Sequence, residues 1–206
     1  MEIELWFLIL LTCLLGAISP GPSLLCVLQS AMNGGRTLGC ITALAHAFGV
    51  LIWAVITLFG LDFILTAHVL FRDIIAFLGA SYLIYLAIRV FYDRNNVREE
   101  MAATGTQTKM LALRDGLFIS MLNPKLAIFF TALFSQFLMY SPSSSEKALM
   151  ALLAAVVDGL WYLLVALLVT HKDFYGVMFR HERKINILSA CVFIIVAMQV
   201  MVSLVN

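Results

Sequence analysis

Six stretches of roughly 20 apolar residues divide this chain, and each is long enough to cross the core of a bilayer as a helix. Apolar residues make up 63% of its 206 positions and charged residues 12%, against about half and about a quarter in a soluble domain. Lipid must therefore solvate much of the surface. We expect an all-α integral membrane protein with six transmembrane helices in a single domain. The predicted helices run from Leu5 to Met32, Leu38 to Leu61, Val69 to Tyr92, Leu113 to Tyr140, Ala148 to Val169 and Ile187 to Val205.

The basic residues in the links between these helices predict how the chain is oriented in the membrane. Ten of the 13 Lys and Arg residues lie in the first, third and fifth links, whereas the second and fourth links hold only Arg72 and Lys147. Because short links rich in Lys and Arg stay in the cytoplasm, we expect both termini to face outward. The remaining base, Lys125, falls inside the fourth helix.

The chain also divides into two halves of three helices each, residues 1–92 and residues 113–206, joined by a cytoplasmic linker over residues 93–112. Each half opens with a helix that a proline motif interrupts. Since each half has three helices, the second half must enter the membrane from the opposite side. This pattern predicts two inverted-topology repeats, with substrate bound near the midplane where the broken helices meet.

The proline motifs should break their helices, because proline lacks a backbone N–H and its ring clashes with the carbonyl four residues back. The backbone groups freed by a break are tolerated at membrane depth only when they are buried in protein or face a wet cavity. One isolated proline is more often a packing kink, but paired breaks beside polar side chains favour a binding site. The residues predicted to bind substrate or a proton are Pro20, Gly21, Pro22 and Ser23 in the first half and Asn123, Pro124 and Lys125 in the second.

Two formal charges, Lys125 and Asp158, lie well inside the apolar stretches, and either would be costly facing lipid. One interpretation is a mutual ion pair that holds the fourth and fifth helices together. The other makes Asp158 a site for a substrate ammonium or a proton, and on that ground it joins the predicted site. His46 in the second helix is interpreted as a packed, neutral histidine rather than a proton relay, and Tyr162 lies deep enough to wall a cavity.

The charge and cysteine content argue against several other functions. A net charge of +1 creates no basic or acidic field for nucleic acid. The four cysteines lie within apolar runs without CxxC spacing, which predicts small buried hydrophobes rather than metal ligands or a redox centre. We therefore expect no cofactor and no metal. The expected partners are the lipid bilayer, a small-molecule substrate and a proton, with a homodimer left open.

These motifs together resemble one family. They are the Ser19-Pro20-Gly21-Pro22 break, Gly49 and Trp53 in the second helix, Asn123-Pro124-Lys125 followed by Phe134-Ser135-Gln136-Phe137, and Asp158 in the fifth helix. In this order, over nearly the whole chain, they resemble the LysE/RhtB family of bacterial amino-acid exporters. The resemblance implies export of amino acids such as threonine, homoserine, lysine, leucine or cysteine across the bacterial inner membrane, driven by the proton gradient.

The leading hypothesis is therefore a secondary exporter that works by alternating access. A zwitterionic amino acid needs one cationic and one anionic partner. The helix ends exposed at Pro22 and Pro124 offer amide donors to its carboxylate, with Lys125 as an added cation. Asp158 then takes the ammonium or the coupling proton.

Two other classes of function remain as alternatives. An intramembrane thiol or redox enzyme of related topology would need cysteines beside the helix breaks, where Ser19 and Asn123 stand. A channel or a structural membrane subunit is compatible with the same apolar pattern.

Overall fold

The protein folds into seven helices over the residues that the computed structural model describes. Those are residues 2–19, 21–61, 69–92, 108–140, 142–168, 183–184, 187–198 and 201–202. The helices are α1 (Ile3–Ile18), α2 (Pro22–Val55), α3 (Val69–Tyr92), α4 (Lys109–Met121), α5 (Pro124–Leu138), α6 (Ser144–Leu168) and α7 (Ile187–Met198). A π-helical segment, Ile56–Gly60, extends α2. Pro20 of the predicted site, and residues 93–107 of the predicted linker, lie outside the described residues.

Both predicted helix breaks are confirmed. α1 ends at Ile18 and α2 begins at Pro22, a first-turn position where the missing N–H of proline costs nothing. In the second half, α4 ends at Met121 and α5 begins at Pro124, with Asn123 as its N-cap. The two proline motifs therefore start new helices rather than kinking continuous ones.

Helix α2 folds back on itself at Gly35, whose φ of 78° lies in the left-handed region that glycine adopts without steric cost. Ser30 precedes Gly35 and Thr42 follows it, and the hydroxyl of Thr42 donates a hydrogen bond to the hydroxyl of Ser30 at 2.7 Å. In a straight helix these residues would be about 18 Å apart. The helix thus consists of two antiparallel arms, a first arm of residues 22–34 and a second arm of residues 36–60. This fold-back falls where the sequence separates the first predicted helix from the second.

Two helices among the described residues are long and apolar enough to cross a membrane, Pro22–Gly60 and Ser144–Leu168. The helices α4 and α5 meet at an angle of 52° and make a third crossing if they count as one broken span. The helices α1 and α7 are apolar but shorter. The apolar, all-α architecture is confirmed, while the number of six spans and their relation as inverted repeats stay predictions.

Helix α6 separates a buried face from a lipid-facing one. Its outward side chains are 44–63% exposed and recur every three or four residues, as one face of a helix requires. They are Leu149, Leu152, Val156, Leu160, Leu164 and Leu167. A contiguous apolar face of this kind is not tolerated in water, so it fits contact with lipid. The opposite face carries Met150, Ala154, Asp158 and Tyr162 into the interior.

Small residues bring the second arm of α2 close to α4. A Cβ added at Gly116 would collide with the backbone carbonyl of Thr42, and one added at Gly49 would collide with the Ser120 side chain. Small residues at such crossings let helix backbones approach closely inside a membrane. This packing fixes the position of His46, one turn from both Thr42 and Gly49 on the same buried face.

Candidate functional site

The two helix breaks meet in the interior of the protein. The side-chain amide of Asn123 donates to the hydroxyl of Ser23 at 3.2 Å, and the ammonium of Lys125 lies 3.4 Å from the hydroxyl of Ser19. Each of these contacts joins one proline motif to the other across about 100 residues of sequence. The polar residues that the sequence identifies in separate halves therefore form one cluster.

The cluster has a positive pole at the starts of α2 and α5. The Asn123 side chain caps α5 by accepting the backbone N–H of Lys125 at 3.0 Å, whereas the N-cap of α2 is Gly21, which has no side chain to accept the first amides. A Cβ at Gly21 would lie 3.7 Å from the Lys125 ammonium, so this cation stands at the start of α2. Helix starts carry partial positive charge and bind anions. Together with Lys125, they make a place for a carboxylate.

The negative pole is Asp158, whose carboxylate is paired with His46. The Nδ1 atom of His46 lies 2.8 Å from Oδ2 of Asp158, and the two side chains are 0% and 8% exposed. His46 is a partner that neither sequence interpretation of Asp158 included. The His46 ring also packs edge-on against Tyr162, with 4.9 Å between ring centroids. His46 is therefore packed, as the sequence indicates, and it also bonds the one acid in the predicted site.

One nitrogen of this histidine has no partner among the residues that the structure describes. The Nε2 atom of His46 is buried and makes no hydrogen bond to any residue that the structure describes. If the Asp158 carboxylate is ionised, Nδ1 must carry the proton that bonds it, and Nε2 is then an unprotonated base. The pair has room for one more proton, on Nε2.

A cavity of about 30 Å³ lies between the two poles. Lys125 and Asp158 both line it, and Tyr162 contributes to its wall. The rest of the lining is mainly apolar and comes from α1, α5, α6 and α7, including Cys13, Gly16, Phe129, Phe130 and Phe193. The volume leaves room for no more than a few water molecules, which is less than an amino acid needs. The described residues thus leave a small space that has a cation and an anion in its wall.

The structure brings together most of the predicted site residues. Lys125 and Asp158 line the cavity, Ser23 and Asn123 bond each other, and Gly21 and Pro22 start α2. Pro124 starts α5, although its side chain lies outside the described part of the chain, as does the whole of Pro20.

Sequence reasoning missed two features of the site. It did not pair His46 with Asp158, since nothing in the sequence relates positions 112 residues apart. It expected Tyr162 in a cavity wall, where the structure has it, but it missed the phenylalanines, although Phe129 follows Lys125 by four residues and so shares its helix face. Among the described residues, no three His, Cys, Asp or Glu side chains come together as a metal site would require.

Comparison with known proteins identifies the family. The chain is similar to a homoserine/homoserine lactone efflux protein of Salmonella typhimurium, 29% identical over 160 residues that cover 77% of each chain. It is also similar to a threonine efflux protein of Salmonella typhi, 28% identical over 65% of this chain and 66% of the relative. An uncharacterized membrane protein of Bacillus subtilis is 24% identical over 75% and 78% of the two chains. No solved structure gives a significant match. The family model of the LysE type translocators matches residues 14–204, and the chain therefore belongs to that family of bacterial membrane proteins.

Proposed function

We propose that this protein exports a small amino acid from the cytoplasm by alternating access, driven by protons, and that the substrate binds between Lys125 and Asp158. The observation that carries the proposal is the cavity with these two opposite charges in its wall. A zwitterion presents a carboxylate and an ammonium, and each would find an oppositely charged partner there. Membership of a translocator family sets the intramembrane enzyme aside.

The ammonium is the part of the substrate on which we expect recognition to depend most. The names of the two Salmonella relatives specify efflux of homoserine, homoserine lactone and threonine. The lactone keeps the ammonium but has no free carboxylate, so the ammonium is the charged group that all three compounds share. Asp158 is the acid available to it in the cavity. Lys125 and the helix starts would then add affinity for substrates that keep their carboxylate.

The hydroxyl groups of threonine and homoserine also have candidate partners. The Ser23 hydroxyl and the Asn123 amide are bonded to each other at the meeting point of the breaks, and both are less than a tenth exposed. A substrate hydroxyl could exchange with either partner at little cost, because one hydrogen bond replaces another. We therefore place short hydroxylated amino acids first among the substrates.

The size of the cavity supports alternating access. A space of this size must widen before an amino acid can enter, and we propose that it opens toward one side of the membrane at a time. The broken helices are suited to this movement, since α1 ends at Ile18 before α2 begins at Pro22, and α4 ends at Met121 before α5 begins at Pro124. Each half of a broken helix can then tilt separately.

Counterflow in proteoliposomes tests the proposal. Vesicles loaded with unlabelled L-threonine or L-homoserine should take up the labelled compound transiently, whereas a channel would only equilibrate it. We expect Asp158→Asn and Lys125→Met to abolish or strongly reduce counterflow. The matched controls are Asp115→Asn, in a surface pair with Arg114, and Lys109→Met, an exposed residue of α4; both should retain it. Absence of counterflow by the wild type for every amino acid in a broad panel would contradict the proposal.

A further inference from the structure

We infer that His46 takes up the coupling proton, and that its imidazolium competes with the substrate ammonium for the Asp158 carboxylate. The inference rests on the amino-acid export proposed above. It adds the chemical step by which proton and substrate exchange, and it assigns that step to a residue behind the cavity rather than in its wall.

The geometry of the pair supports this role. His46 is fully buried, its Nδ1 atom lies 2.8 Å from the carboxylate of Asp158, and its Nε2 atom has no partner among the described residues. A buried polar nitrogen without a hydrogen bond is costly. Protonation at Nε2 converts the ring to a cation whose Nδ1–H already bonds the Asp158 carboxylate, so the contact becomes an ion pair with a charge-assisted hydrogen bond.

His46 and the substrate reach Asp158 from different sides. Asp158 lines the cavity and His46 does not, so the histidine contacts the carboxylate from the second arm of α2 while the cavity lies beyond it. An ammonium in the cavity therefore need not displace the imidazole. It needs only to neutralise the same negative charge.

Among the ionisable groups around His46 and Asp158, the Asp158 carboxylate is the anion that the histidine and the substrate ammonium would share. The helices packed around it contribute Lys125 from α5, Cys13 from α1 and Tyr162 from α6. The first arm of α2 contributes Cys26, close to Tyr162, whereas Asp115 of α4 is paired at the surface with Arg114. Lys125 is the formal cation of this group, and the substrate carboxylate would neutralise it. An imidazolium and an ammonium would then face a single carboxylate, and in an interior of low dielectric their mutual repulsion favours one at a time.

This competition yields antiport. With the site open to the outside, the substrate leaves and a proton from external water adds to Nε2 of His46. With the site open to the cytoplasm, the substrate ammonium binds Asp158 and the proton leaves Nε2 for cytoplasmic water. One proton enters for each substrate exported, and no other bond is made or broken.

The first test uses His46→Asn, whose side-chain amide keeps an N–H donor toward Asp158 but has no titrating nitrogen. Wild-type proteoliposomes that are acidic inside should concentrate labelled L-threonine several-fold above the level reached without a gradient. The variant should keep counterflow and lose this accumulation. His46→Gln serves as a second variant, and Asp115→Asn as a control that should behave as the wild type. Gradient-driven accumulation by His46→Asn at the wild-type level would overturn the inference.

The second test needs no substitution. The apparent affinity of the wild type for L-threonine should fall on acidification by up to about tenfold per pH unit, because one proton competes with one substrate, and binding should release a proton in calorimetry with buffers of different ionisation enthalpy. Binding without proton release would overturn the inference even if both variants fail to fold. Absence of all counterflow by the wild type would instead overturn the export proposal. Failure of the proton inference and failure of the export proposal are therefore distinguishable.

Discussion

The burial of Asp158 could be predicted from the sequence, whereas its partner could not. An acid in the middle of an apolar helix must face the interior, and the structure places it there, 6% exposed. Its partner could not be predicted, because Lys125 and His46 both lie in apolar stretches that pack near α6. The choice of His46 follows from the close packing of the second arm of α2, and no pattern within one helix reports that packing.

Gly16 offers a test of the cavity at the same scale. A methyl group added there would lie 2.9 Å from the ring of Phe129, so the ring must shift, and both residues line the cavity. Overpacking of this kind costs about 1–3 kcal/mol. We expect Gly16→Ala to lower the rate of L-threonine counterflow by about tenfold, the equivalent of ~1.4 kcal/mol, while the protein still elutes as a single species in detergent.

The matched control for this change is Gly60→Ala. No atom of the described residues lies within 4 Å of a Cβ added at Gly60, so that variant should transport at the wild-type rate. Equal rates for Gly16→Ala and the wild type would show that substrate does not use this space.

At the scale of helices, the proline motifs were the most informative part of the sequence. Proline has a fixed effect on a helix, so both breaks could be predicted without any knowledge of neighbouring helices. Two other features could not be predicted, the angle of 52° between α4 and α5 and the contact of Asn123 with Ser23. They depend on how the two halves pack against each other. The fold-back at Gly35 was predicted only as a division between two apolar stretches.

Replacing Pro22 by Ala should separate the structural and functional roles of the first break. Alanine restores a backbone N–H and favours continuous helix, so α1 could run on into the first arm of α2. We expect normal membrane insertion with counterflow reduced at least about tenfold, since the exposed helix start would be lost. Expression would be followed by fluorescence of a tagged protein and transport in vesicles of equal protein content. Normal counterflow would reduce this break to a packing kink.

For the whole molecule, the apolar composition predicted that lipid surrounds much of the surface, and the sequence predicted the apolar stretches. Where the structure describes these stretches, its helices agree closely with them. The helix α3 spans Val69–Tyr92, as predicted, and α7 starts at the predicted Ile187. Orientation in the membrane is a different kind of property, because it depends on the distribution of basic residues relative to the cell. It therefore stays a prediction from the charge of the links.

Reporter fusions test this orientation. With both termini outward, a periplasm-active phosphatase fused after Asn206 should be active, and the same enzyme inserted within residues 93–107 should be inactive. A cytoplasm-fluorescent reporter at the same two positions should give the opposite pattern. Equal activity at both positions would contradict the six-span arrangement.

The central claim is that the substrate is held by its ammonium at Asp158 and by its carboxylate at Lys125. It is tested most directly by competition against L-threonine counterflow with two analogues, 3-hydroxybutyrate, which lacks the ammonium, and L-threoninol, which lacks the carboxylate. For the wild type, we expect threonine to compete best, threoninol weakly and 3-hydroxybutyrate not at all. In Lys125→Met, any residual counterflow should show a smaller preference for threonine over threoninol than the wild type does, because the helix starts alone remain for the carboxylate. Competition by 3-hydroxybutyrate as strong as that by threonine would contradict the account.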